Sequence, residues 1–323
     1  MKSILILVLV SILIILPTII IIMFESIAFL VALAGSSIGA AWDLKTTEIP
    51  DEIPYAMIAF ALTIYGVQSL QAWDYWPIIN SIIVGSALFG FGFVMYHLGQ
   101  WGGGDAKLLS AIGFLLPSLP WTASAPELSI SSASFLSFYL SLPFPAKYVF
   151  NVFLVGAGYM MIYAFVIAAR NSNVISAFKK DMKASSNVFI SASVLLFVVF
   201  LLLNYFIYLE FQIPVSMDLI LMNSAVILFA TVGVFTVWRF ARAVENVGFK
   251  KKIPVSKLRV GDVLLDSKVW EGIEEKDIRR IKRSGKSYVW IKEGVRFAPA
   301  FPFALLFMVY FGDAFLLLFR IFG

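Results

Sequence analysis

Residues 77–107 read PIINSIIVGSALFGFGFVMYHLGQWGGGDAK. The first 22 of them, 77–98, hold no acid, lysine or arginine, and roughly 20 apolar residues suffice to carry a helix across a bilayer. The run stops at a glycine-rich turn, and an aspartate opens the next apolar stretch. Working outward, comparable stretches lie at about 3–23, 26–42, 53–72, 106–120, 146–169, 189–209, 215–238 and 297–321, nine in all. Helices are expected throughout, because a lone strand or open sheet edge leaves its backbone groups unsatisfied in lipid. The polar/apolar alternation of a membrane β-barrel is absent. Composition agrees: 60% hydrophobic, 14% charged, mean hydropathy +0.90. Soluble chains average about 45–50% apolar and 25% charged. The fold class is therefore read as an all-α polytopic integral membrane protein of about nine transmembrane helices, with a small cytoplasmic α+β domain before the last helix.

Basic residues set the orientation. With the N-terminus cytoplasmic and all nine stretches crossing, the inner side collects Lys2, Lys45, Lys107, Arg170, Lys179, Lys180, Lys183 and 16 Lys/Arg between Arg239 and Arg296. Only Lys147 and Arg320 fall outside, as the positive-inside rule requires. The net charge of +5 thus reports topology, and no nucleic-acid partner is expected. This reading puts the chain in the plasma membrane with its C-terminus external. Taking the first stretch as a cleaved signal peptide, with Ala32-Leu33-Ala34 at the cut, makes the apolar run too long and removes most of the next helix.

Five regions follow: an accessory N-terminal helix (1–25), a membrane core (26–170), a basic stretch with an accessory helix pair (171–238), a small basic domain (239–296) and a C-terminal helix (297–323). In the small domain, Val260–Leu265 reads as β-like and Glu274–Lys282 as helix. Residues 121–145 read as an outer loop. Lys179, Lys180 and Lys183 read as a positive-inside anchor against membrane lipids.

Ionisable residues at membrane depth are costly and mark function. Asp43 closes the second stretch in AAWDLK, and Asp105 opens the fifth in WGGGDAK. A topology counted on Lys and Arg alone brings both to the cytoplasmic face. Two carboxylates that meet in a partly dehydrated site share a proton, because both cannot easily ionise. The ionised member then deprotonates water while the protonated one polarises a carbonyl. That chemistry needs no cofactor. The absence of cysteine and the single His97 leave no metal-ligating cluster, so none is expected. Glycines 102–104 are expected to turn the chain sharply and let it approach an extended substrate. The helix dipole at Asp105 favours its charged form. Taken alone, each aspartate also fits a helix cap or loop residue.

These residues resemble the GxGD membrane aspartic proteases, and within them the archaeal prepilin and preflagellin peptidases of the type IV prepilin peptidase family. Asp43-Leu44-Lys45 followed by Glu48-Ile49-Pro50-Asp51 is similar to that family's Asp-x-Lys/Arg…Ile-Pro-Asn/Asp segment. Gly102-Gly103-Gly104-Asp105-Ala106-Lys107 is similar to its Gly-x-Gly-Asp-x-Lys signature. The likeness is best over 26–120 and looser over 144–171 and 253–311, including Glu293–Phe301. The resemblance implies cleavage of type IV pilin-like or archaellin precursors after a short basic leader. It implies Asp43 and Asp105 as the catalytic pair, with Lys107, Gly102, Gly103 and Gly104 supporting the second loop. Bacterial relatives add N-methylation with a tetracysteine loop, which a cysteine-free chain lacks. Glu48, Asp51 and Glu52, opposed locally only by Lys45, are expected to contact the basic leader.

Two other readings compete with this one. A presenilin or signal-peptide-peptidase type protease fits less well, because Trp42 rather than tyrosine precedes Asp43. A cation- or proton-coupled transporter calls for paired broken helices near the midplane, which the sequence does not offer. His97 and Asp313 are expected to be structural.

Overall fold

The computed structural model describes residues 2–118, 139, 142–210, 216–265, 272–292 and 294–322, with 2–21 and 319–322 described as backbone only. Most of the outer loop expected at 121–145 lies outside the described residues. The chain forms two compact units, Met1–Met161 with Gly294–Gly323, and Ile162–Glu293.

The first unit contains α1 (Lys2–Thr46), α2 (Glu52–Ala72), α3 (Trp76–His97), α4 (Gly103–Leu115), the first part of α5 (Phe144–Arg170), α9 (Ala300–Phe311) and α10 (Ala314–Phe322). The second contains the rest of α5, then α6 (Ser172–Glu210) and α7 (Met217–Ala243), followed by a small domain with β1 (Lys250–Pro254), β2 (Val263–Leu264), α8 (Glu275–Arg283) and β3 (Tyr288–Lys292). Among the described residues, six helices are long and apolar enough to cross a membrane: Ile22–Thr46, Glu52–Ala72, Trp76–His97, Phe144–Arg170, Ser172–Glu210 and Met217–Gly248. The architecture is that of a polytopic α-helical membrane protein with a small antiparallel sheet.

Four of the nine expected stretches are organised differently. The runs at 3–23 and 26–42 join in one helix, α1, because neither glycine nor proline separates them; Ser26 Oγ donates back to the Ile22 carbonyl at 2.7 Å. At 1.5 Å per residue α1 is about 68 Å long, roughly twice the hydrocarbon thickness. The run at 106–120 yields only the 13-residue α4, about 20 Å and too short to cross. The run at 297–321 breaks at Gly312, whose φ of +76° is a left-handed conformation that other residues disfavour. Asp313 stabilises that break. Its Oδ2 accepts from Tyr139 Oη at 2.6 Å and its Oδ1 from the Phe315 N–H at 2.9 Å.

A helix as short as α4 survives in an apolar setting only if its ends are satisfied. Ser81 Oγ donates to the Phe114 carbonyl at 2.6 Å and Tyr65 Oη to the Leu115 carbonyl at 2.7 Å. Pro117, just beyond, cannot continue the helix. The sides of α4 are covered as well, with Leu108, Leu109, Ala111, Ile112 and Leu115 all buried. Helix α3 comes close because its facing positions are small: a Cβ on Gly92 would lie 2.8 Å from Ala106 Cα, and one on Gly85 would collide with the Phe114 ring.

In the second unit, the sheet has order β1-β3-β2, antiparallel throughout, with Lys250 opposite Lys292 and Leu264 opposite Ile291. Val255, Leu258, Ile273, Ile278 and Ile291 form its core. The expected β-like run 260–265 shortens to Val263–Leu264, since Gly261 turns the chain with φ +97°. Lys179, Lys180 and Lys183 belong to the first turns of the continuous helix α6.

Candidate active site

Asp43 lies in the last turn of α1, one helical turn before the chain leaves the helix at Thr47, whose N–H bonds the Asp43 carbonyl at 2.8 Å. Asp105 lies in the first turn of α4, where its Oδ2 accepts from the Gly102 N–H at 3.0 Å. This is the N3 carboxylate reaching back to the N-cap amide, a standard helix start. Both carboxyl groups are buried, at 5% and 7% exposure. The two are near enough that the charge on Asp43 acts on Asp105. The structure thus brings together two acids 62 residues apart in the chain, at the end of one helix and the start of another.

Segment 296–298, which leads into α9, adds a third side. The Ala298 N–H donates to Asp43 Oδ2 at 3.1 Å, and the positive charge of Arg296 also acts on Asp43. Tyr159 Oη fixes that segment by donating to the Arg296 carbonyl at 2.9 Å. The Trp101 ring stacks on Phe153 and Phe297, each at 5.6 Å between centroids, and meets Phe301 edge-on at 5.7 Å. It therefore packs the loop before α4 against the same segment. Residue type alone marks no such role for Ala298, Arg296, Tyr159 or Trp101. A backbone donor leaves no mark in composition, and along the sequence Arg296 is one basic residue among the 16 of its region.

The glycines act differently from expectation. The left-handed turn sits at Gly99, φ +69°, whereas Gly102, Gly103 and Gly104 all have negative φ. Gly104 matters for proximity: a Cβ there would lie 3.0 Å from Ile49 Cβ. The segment after α1 and the start of α4 are therefore in contact. Lys107 extends the contact, its Nζ donating to Asp51 Oδ1 at 2.6 Å and Oδ2 at 2.8 Å and lying 5.7 Å from the Tyr55 ring centre.

Asp51, expected to contact a basic leader, forms this ion pair with a lysine 56 residues further along the chain, and its side chain stays 52% exposed. Lys107 becomes its neighbour only on folding. Glu48 and Glu52 remain exposed. His97 is exposed at the end of α3, its Nδ1 3.0 Å from the Phe93 carbonyl and its ring 4.1 Å from the Phe93 ring. Asp313 belongs to the helix break described above. No group of three or more acid, histidine or cysteine side chains suited to a metal ion occurs among the described residues.

Two buried carboxylates at the ends of adjoining helices can serve as an acid–base pair. Comparison with known proteins bears on that chemistry. The chain is similar to the prepilin peptidase EppA of Methanothermobacter thermautotrophicus, 27% identical over 209 residues, covering 63% of this chain and 52% of that protein. It is similar to a preflagellin peptidase of Methanocaldococcus jannaschii, 36% identical over 126 residues, covering 39% and 51%. A preflagellin peptidase of Methanococcus maripaludis is 29% identical over 145 residues, covering 45% and 59%. The chain spans about half the length of the relatives it matches. The sequence model of the type IV leader peptidase family matches residues 27–240, well over half of the chain and including both buried aspartates. On that match, the chain belongs to the type IV leader peptidase family.

Proposed function

We propose that the protein is a membrane aspartic endopeptidase that removes the basic leader from type IV pilin-like or archaellin precursors at the cytoplasmic face. The observation that carries this reading is the convergence of Asp43 and Asp105, both buried and electrostatically in touch, at adjoining helix ends. With one proton shared between them, the ionised carboxylate takes a proton from water and the resulting hydroxide attacks the scissile carbonyl. The protonated partner donates its proton to the carbonyl oxygen, the proton taken from water passes to the leaving amine as the C–N bond breaks, and a hydroxyl of the collapsing intermediate returns a proton to the partner carboxylate. The Ala298 N–H holds Asp43 in one orientation throughout, which saves reorganisation at the reacting centre.

Exposed Glu48 and Glu52 would face the lysines or arginines of the leader, giving steering and selectivity more than affinity. The basic residues around the site, Lys45, Lys107 and Arg296, support a cytoplasmic active face through the positive-inside rule.

The test is cleavage of a tagged pilin-like precursor with a basic leader, co-expressed with wild type, Asp43→Asn or Asp105→Asn. Each variant, near-isosteric with the parent, should accumulate uncut precursor, with a rate loss of at least ~10³-fold. Cleavage at the full rate by either variant, expressed and inserted normally, overturns the dyad.

A further inference from the structure

We infer that the Asp51–Lys107 ion pair is a clamp that sets the spacing of the two catalytic aspartates, so that Asp51 is a positioning residue of the enzyme and not a contact for the leader. The inference rests on the peptidase reading above and on the geometry that joins the two aspartate-bearing segments.

Each segment reaches the other at two points. Ile49 sits against Gly104, where a Cβ would come within 3.0 Å, and the Asp51 carboxylate holds Lys107 Nζ through both oxygens. Gly104 directly precedes Asp105, and Lys107 follows it by two residues. Asp51 lies eight residues after Asp43, at the entrance of α2. A shift of α4 along its axis would thus have to break the ion pair or drive Gly104 into Ile49.

The ordinary explanation of an aspartate at that position is helix capping. Asp51 stands at the N-cap of α2 but makes no capping bond; its side chain turns to Lys107 instead. Lys107 in turn lies against Tyr55, one turn into α2, so its charge is held from two sides. The Lys107 side chain is 31% exposed and that of Asp51 52%, so the pair adds little to stability as an exposed ion pair. Its value lies in geometry, because a displacement of about 1 Å at a reacting centre is enough to cost up to ~10²-fold in rate.

The experiment uses the full-length protein in membranes and two precursors that differ only in leader charge, one with lysines and one with glutamines. Rates are measured for wild type, Asp51→Ala, Lys107→Gln and the exchanged pair Asp51→Lys with Lys107→Asp, each checked for insertion. The single variants are expected to lose roughly tenfold in kcat on both precursors with KM nearly unchanged. The exchanged pair should recover most of that loss, less a small penalty for a lysine at a helix N-terminus. Losses confined to the lysine leader and carried by KM would return Asp51 to the leader-binding surface and overturn the clamp. An exchanged pair as slow as the worse single variant overturns it as well. Failure of the wild type to cut either precursor sinks the peptidase reading itself, and the positioning role with it.

Discussion

Helix α4 and the pair α6–α7 are all apolar, yet they spend their side chains on different neighbours. In α4 the apolar residues are enclosed by protein: Leu108, Leu109, Ala111 and Leu115 have no exposure. In α6 and α7 they face outward, with Val188, Leu195, Phe206, Phe229 and Val234 all well exposed. The difference follows from length. A helix of 13 residues ends inside the apolar layer and must have its last carbonyls satisfied by Ser81 and Tyr65. Helices of 39 and 27 residues are long enough to span that layer, and several of their hydroxyls bond within the same helix, as Ser191 does to Asn187 and Thr231 to Ile227. An apolar helix wrapped by protein is one on which a polar first turn can be held in place, and that is where Asp105 sits.

The comparison breaks first at glycine. Gly92→Leu should drive a side chain into the Ala106 backbone, lowering the yield of folded protein and abolishing cleavage, since overpacking costs about 1–3 kcal/mol even where neighbours can adjust. Gly233→Leu in α7, where an added Cβ meets nothing within 4 Å, should leave thermal stability in detergent unchanged. Equal effects at the two glycines would mean that enclosure of α4 is unimportant. A second and smaller contrast lies in the hydroxyls. Tyr65→Phe and Ser81→Ala should each destabilise by about 1 kcal/mol, read as a fall in melting temperature, because each strips a partner from a buried carbonyl. Thr231→Val, isosteric and confined to a bond within its own helix, should stay within about 0.5 kcal/mol. The smallest effect belongs to Asp181, 3.1 Å from Arg239. Asp181→Asn should cost less than about 1 kcal/mol, because the guanidinium keeps its places 5.2 Å from the Phe235 and Trp238 rings.

Much of this was legible before folding. Long apolar runs have one solution in lipid, so helices followed from hydropathy, and the β-like run at 260–265 holds β2. Asp43 and Asp105 stood out because charged groups are scarce in such runs. What hydropathy cannot register is continuity or termination. The apolar runs at 3–23 and 26–42 count as two by hydropathy, but one helix continues through Glu25, whereas Gly312 ends a helix within a run that is continuous by hydropathy.

The candidate site divides along the same line. The chemistry of the two acids and the charge of their surroundings are properties of residue type, readable in order along the chain. Which groups complete the site depends on distance, and distance between residues 43 and 298, or 51 and 107, exists only after packing. The Ala298 amide on Asp43 is a backbone group that every residue but proline carries, so no residue type announces it. Lys107 was visible as a charge, but its pairing with Asp51 arose because small residues let α4 settle deeply among its neighbours and brought the two segments into contact.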